Sequence, residues 1–239
     1  MSTSVKDPKT VIGIMGGMGP EATVEFMRQI IRRTPAHDDG DHVRMLVDNN
    51  PKVPSRIAFL LEGGAVDPTA ALVDMARGLE RGGATVVVIA CNTVHHFAEP
   101  IRASLGVPFI DMIDAALEDV RNASKEKIVR FGVLGSPALR RIGIFGAKCR
   151  GRDLAPVYSD EAGEAEALSI IRAVKAGGID DMLLKRYFVL KRSFMAMGAE
   201  VVLVCCTEFS VLEERLAERA VPPDVPTLDS MTSLVDRLM

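Results

Sequence analysis

Short apolar runs that end on glycine or cysteine set the rhythm of the chain. "TVIGIM" (10–15) is followed by a glycine turn and then by Val24, Met27, Ile30 and Ile31 at helical spacing. This reads as a strand buried on both faces, a turn, and a helix starting near Glu21 with Pro20 in its first turn. "IVRFGVLGSPALRRIGIF" (128–145) repeats the grammar: Gly132 and Gly135 match Gly13 and Gly16, offset by 119 (132 − 13).

Two further pairs keep the same order. "GGATVVVIACNT" (82–93) matches "MGAEVVLVCCTE" (197–208) at an offset of 115 (206 − 91), pairing Cys91 with Cys206. Each follows a helical stretch (68–82 and 183–198), and Gly83 and Gly198 suit the position just past a helix end. "VPFIDM" (107–112) matches "VPTLDS" (225–230) at an offset of 118 (225 − 107). Three ordered matches predict an internal repeat: two pseudo-symmetric α/β domains, each a parallel sheet flanked by helices. The expected division is 1–112 plus 213–239 for one domain and 113–212 for the other, with the active site in the cleft between them. In such sheets ligands bind at the carboxyl ends of strands, where residues 16–20, Cys91, residues 135–138 and Cys206 all fall.

Composition narrows the function classes. The 239 residues are 48% hydrophobic and 5% aromatic, with net charge −3, the profile of an ordinary globular protein without a nucleic-acid partner. The basic run "KRYFVLKR" (185–192) reads as a solvated helix face. No apolar run reaches membrane-spanning length and the polar N-terminus is no signal peptide, so a cytoplasmic protein is expected. Four cysteines in a chain this long make no disulfide scaffold.

Cys91 and Cys206 each end a strand just before a helix start, with Asn92 or Thr93 and Thr207 as capping residues. A helix N-terminus favours an anion, so a thiol there is expected to have its pKa lowered into the catalytic range. Cys205, one residue earlier, is expected to face the core, as is Cys149. A zinc site from Cys91, His95, His96 and a C-terminal cysteine lacks a second close ligand pair, and no metal is expected. His95 and His96 read as a helix-face pair, one of them lining the cleft. "GIMGGMGP" (13–20) departs from the dinucleotide fingerprint, although its amides suit a small carboxylate. In "VDNNPKVPSR" (47–56), Arg56 is either a bidentate carboxylate clamp or a solvated surface group. Lys175 closes a helix and on residue chemistry alone is a dipole partner.

Over residues 10–238 the chain resembles the cofactor-independent aspartate/glutamate racemases. The resemblance rests on "GIMGGMGPEAT", "NNPKVPSR", "ACNTVHHF", "AVKAG" and "CCTEFSVL", in that order. It implies a two-thiol reaction without cofactor or metal: one cysteine removes the Cα proton of a small dicarboxylic amino acid, and the other protonates the opposite face. Cys91 and Cys206 match those cysteines. Asn92, Thr93 and Thr207 match donors to the α-carboxylate, and Arg56 and Lys175 match the groups holding the distal carboxylate. Met18, Asn49, Ser136 and Glu208 fall among the substrate-binding positions; Glu208 stands where a related glutamate-racemase branch has His, and is either a group that orients or tunes the Cys206 thiol or a salt-bridged surface residue. A homodimer is implied as well. One departure is "GSPALRR" in place of a Thr-Gly-Thr-like turn: Ser136 keeps one hydroxyl, Pro137 removes an amide, and Leu139 is expected to make that wall less polar. A maleate-type isomerase, a hydantoin racemase, a decarboxylase of the same superfamily and a non-catalytic carboxylate binder are the alternatives.

Overall fold

Val11–Gly16 forms the first strand, β1, whose continuous apolar run is sealed on both faces as a central parallel strand requires. The computed structural model describes residues 7–62, 66–126, 128–220 and 225–239. They divide into two compact units, residues 1–115 with 231–239, and residues 116–230.

In the first unit β1 leads into helix α1 (Pro20–Arg33), strand β2 (Arg44–Asn49), and helices α2 (Arg56–Glu62) and α3 (Thr69–Arg81). Strand β3 (Val86–Ile89), helix α4 (Ala98–Ala103), strand β4 (Phe109–Ile110) and helix α5 (Met112–Asn122) follow, and the division between the units falls within α5. The strands are all parallel in the order β2-β1-β3-β4. Alternate residues serve opposite layers. Ile12, Ile14, Val86 and Val88 pack with Phe26 and Ile30 of α1. Met15, Val87 and Ile89 pack with Leu72, Met75 and Leu79 of α3.

The second unit contains strand β5 (Val129–Leu134), short helices α6 (Ala138–Arg141) and α7 (Ile144–Cys149), and strand β6 (Leu154–Val157). Helices α8 (Glu161–Lys175) and α9 (Asp181–Ala196), strand β7 (Val201–Val204), helix α10 (Thr207–Glu218) and strand β8 (Thr227–Asp229) complete it. Helix α11 (Ser230–Leu238) then returns the chain to the first unit. The order β6-β5-β7-β8, again all parallel, repeats the first sheet element for element. Gly83 and Gly198 occupy corresponding positions past α3 and α9 with φ of +99° and +85°, a conformation that favours glycine.

Three expectations change. Val24 and Ile31 are 50% and 45% exposed rather than core-facing. The C-terminal α11 lies along α1 instead, through Thr232 to Gln29 at 3.3 Å and Arg33 to Asp236 at 2.8 Å, and so rotates the buried face. The basic run of α9 is not a uniformly solvated face: Lys191 is 1% exposed, its Nζ 2.8 Å from Glu213 and close to the rings of Tyr187 and Phe188. Finally, α10 and β8 stay with the second unit, so the return to the first comes at Met231 and not near residue 213.

Candidate active site

In each unit the chain runs from its first strand outward to one edge, then crosses back to the other side, so the switch point lies between the two central strands. The carboxyl ends of β1 and β3, and of β5 and β7, therefore flank the place where α/β sheets bind ligands. Those ends carry the glycine turn and Cys91 in one unit, and the Gly135–Ser136–Pro137 turn and Cys206 in the other.

The glycine turn is a packed structure. Gly17 has φ +87°, and a Cβ there would lie 2.2 Å from the backbone of Asn50. Its amide donates to Thr23 Oγ1 at 2.9 Å, and the Thr23 hydroxyl donates to the Gly19 carbonyl at 3.0 Å. That amide is committed within the turn, against a phosphate-cradling role. Met18, next in the turn, is buried in one cluster with Val53 and Cys91, and its carbonyl accepts from Arg56 Nη2 at 3.4 Å. Arg56 opens α2, and its buried Nε has no hydrogen-bond partner among the described residues. A buried donor left unmatched costs about 1–3 kcal/mol, so this guanidinium is short of an acceptor. Asn49 ends β2, exposed, in register with Gly16.

Cys91 is buried, with its Sγ 3.4 Å from Thr93 Oγ1. The cysteine itself, in extended conformation, occupies the cap position of a 3-10 turn over Asn92–Phe97. Asn92 and Thr93 thus lie inside the turn instead of capping it. His95 is buried beneath the turn while His96 is exposed, so the two histidines do not share a face.

In the second unit Cys206 is likewise the extended cap residue of its helix, α10, and Thr207 is the first residue inside. The Cys206 thiol donates to Glu208 Oε2 at 2.8 Å, and the other oxygen of Glu208 is 3.3 Å from Lys175 Nζ. The lowered pKa expected at a helix start is not what Cys206 has: burial of the sulfur, and next the adjacent Glu208 carboxylate, push its thiol well above the usual thiol range, with the Lys175 ammonium opposing. Lys175, the last residue of α8, is 57% exposed, so much of its pull is screened by water. Cys205 points to the core as expected, its thiol donating to the Leu203 carbonyl at 3.3 Å. Cys149 is buried too, and burial pushes it up to about 11.

The substituted turn after β5 departs from expectation. Leu139 is buried with its Cδ1 folded over Gly135, where an added Cβ would lie 2.7 Å away. It therefore packs inward, while Gly135, Ser136 and Pro137 are partly exposed, and the Ser136 hydroxyl accepts from the Ala138 amide at 3.3 Å.

The eleven anticipated positions form two groups. Met18, Asn49, Arg56, Cys91, Asn92 and Thr93 belong to the first unit; Ser136, Lys175, Cys206, Thr207 and Glu208 belong to the second. Contacts join Met18 to Arg56, Cys91 to Thr93, and Cys206 to Glu208 to Lys175. The direct pairing of Lys175 with Glu208 was not anticipated; the two are 33 residues apart (208 − 175), and nothing local in the sequence signals it. No group of three or more His, Cys, Asp or Glu among the described residues is arranged to hold a metal ion. No described helix is long and apolar enough to cross a membrane.

Two parallel α/β units of one strand order, each ending its third strand at a free cysteine beside a helical turn, define a duplicated α/β architecture with paired thiols. Comparison with known proteins gives that class its family. The family model described as Asp/Glu/Hydantoin racemase matches residues 15–238, and the chain belongs to this family. It is similar in structure to the Picrophilus torridus aspartate racemase, with a TM-score of 0.80 and 26% identity over 96% of this chain and 92% of that one. It is 22% identical to the broad specificity amino-acid racemase RacX of Bacillus subtilis, over 94% of both chains. It is also 25% identical to the glutamate racemase of Thermus thermophilus, over 95% of this chain and 77% of that protein.

Proposed function

We propose that the protein interconverts the enantiomers of an acidic amino acid, aspartate before glutamate, without pyridoxal phosphate or metal. Cys91 and Cys206 act from opposite faces of Cα. The observation that carries this reading is the matched placement of the two free cysteines, each the extended cap residue after the third strand of its unit. Racemisation needs two such groups, because a single base on one face tends to return the proton where it came from.

The two thiols are not equivalent. Cys206 rests as a protonated thiol bonded to Glu208, which suits it to deliver a proton. In the forward half-reaction the Cys91 thiolate takes the Cα proton, and Cys206 gives its own to the other face. That leaves Cys91 as a thiol and Cys206 as a thiolate, the state that converts the other enantiomer. To return to the resting state Cys91 gives its proton to solvent and Cys206 takes one back, relayed by Glu208 2.8 Å away, whose carboxylate the Lys175 ammonium steadies. The carbanion is stabilised by donors around the α-carboxylate, namely Asn92, Thr93 and Thr207, with Ser136, Met18 and Asn49 shaping the pocket. The unmatched Nε of Arg56 supports its role as the group that receives a substrate carboxylate. Four free cysteines fit a reducing, cytoplasmic location, and a homodimer belongs to the same proposal.

A second reading is a broader substrate range. Lys175, which the family resemblance assigns to the distal carboxylate, is already paired with Glu208, leaving Arg56 to carry that recognition. A panel of L- and D-amino acids resolved by chiral chromatography tests both readings. Cys91→Ala and Cys206→Ala should each abolish interconversion of aspartate. Survival of activity in either variant would instead indicate a reaction that needs one thiol, such as decarboxylation.

A further inference from the structure

Four residues beyond each cysteine, the two units hold the cysteine carbonyl differently. In the second unit α10 begins at once, and the amides of Phe209 and Ser210 donate to the Cys206 carbonyl at 2.9 and 3.2 Å. In the first unit the residue at that spacing from Cys91 is His95, and its ring Nδ1 lies 2.9 Å from the Cys91 carbonyl. On the other side of the ring, Nε2 lies 3.0 Å from the backbone nitrogen of Met112, the first residue of α5.

These contacts fix the proton. A backbone amide has only an N–H to give, so Nε2 is the acceptor and carries no hydrogen. The ring proton is therefore on Nδ1 and is donated to the Cys91 carbonyl. Asp111 lies close, with Oδ1 at 3.8 Å from Nε2, but that oxygen accepts the amides of Ile113 and Asp114 at 2.9 and 3.2 Å. Its other oxygen faces Arg102 Nη2 at 3.6 Å, and the Phe109 ring packs 6.0 Å from the imidazole. The ring is sealed from water and committed at both nitrogens to main chain.

We propose that His95 is the positioning residue of the Cys91 half of the site. It is a neutral strut from the Cys91 carbonyl to the first amide of α5, fixing the backbone that presents the Cys91 thiol, Asn92 and Thr93. It replaces with a side chain the hold that the helix amides of α10 give Cys206. The inference rests on the reading of Cys91 as a proton-transferring thiol, and it gives His95 no contact with substrate.

The test uses the full chain and three readouts. Nitrogen-15 NMR of histidine-labelled protein should show His95 with its proton on Nδ1. His95→Leu, which fills the volume but offers neither bond, should lower kcat about 100-fold with KM within about twofold, as misplacement of a reacting group does. The same change should alter the rate at which iodoacetamide labels Cys91, read peptide by peptide, and leave Cys206 unchanged. His95→Asn, whose amide lies near the Nδ1 position, should recover much of the loss; it also carries the test if the leucine variant does not fold. A proton found on Nε2 overturns the proposal. So does a folded leucine variant with unchanged kcat and Cys91 labelling, or a loss that moves KM and both thiols together. If the wild type exchanges no Cα proton, the racemase reading fails, while the NMR and labelling results still decide what His95 does to Cys91.

Discussion

Replacing Glu208 with glutamine should make Cys206 more acidic and faster to alkylate. The Cys206 thiol lies 2.8 Å from one Glu208 oxygen, so ionising it places two negative charges side by side. At an effective dielectric near 20, like charges about 4 Å apart repel by about 4 kcal/mol. The Lys175 ammonium, 3.3 Å from the second oxygen, offsets part of this, although its exposure weakens the effect. What repulsion remains holds the Cys206 thiol up, and removing it lowers the Cys206 pKa. Glutamine keeps the volume and a hydrogen-bonding group but removes the charge. The thiolate fraction at pH 8 then rises. A less basic thiolate is also a weaker nucleophile, with a Brønsted slope of about 0.5, so each tenfold gain in thiolate accelerates alkylation about threefold. The assay is iodoacetamide labelling across pH, with Cys206 and Cys91 peptides quantified separately. A Cys206 rate that stays constant or falls would refute the electrostatic coupling to Glu208.

Other parts of the account have their own tests. Arg56→Lys loses the planar fork and should raise KM for aspartate about 10-fold or more with a smaller change in kcat, measured by steady-state kinetics; an unchanged KM would place the distal carboxylate elsewhere. Gly132→Ala puts a Cβ 2.7 Å from Cδ1 and Cγ of Phe194, where β5 meets α9, and overpacking of this kind costs about 1–3 kcal/mol. Urea unfolding should show the second unit losing structure at lower denaturant, and an unshifted midpoint would contradict the packing described. With its pKa pushed up to about 11, Cys149 holds about one part in a thousand thiolate at pH 8, and its peptide should label far more slowly than a free thiol in solution.

The repeat was legible because both halves write the same strand and turn chemistry into the sequence. Continuous runs such as "VVVI" and "VVLV", with glycines past the preceding helices, yielded the paired sheets and both cysteine ends. What a helix packs against is another matter. Periodicity shows that α1 is amphipathic, but α11, some 200 residues later, decides that Gln29 is covered and Val24 is not. Lys191 escaped for the same reason, since its partner Glu213 lies on a different helix. At the strand ends, residue types and order made it legible that Cys91 and Cys206 each stand just before a helical turn. The pairings that tune them were not readable: Lys175 with Glu208 depends on where α8 ends over α10, and the His95 strut needs Met112 seventeen residues on.

The two-thiol claim is tested most directly by the isotope content of product and unreacted substrate in D₂O. Starting from protiated L-aspartate, the account predicts that at low conversion the D-aspartate formed carries deuterium at Cα, while remaining L-aspartate stays protiated; D-aspartate should give the mirror result. Label entering unreacted substrate as fast as product forms would point to one base, and no Cα exchange with any acidic amino acid would contradict the account altogether.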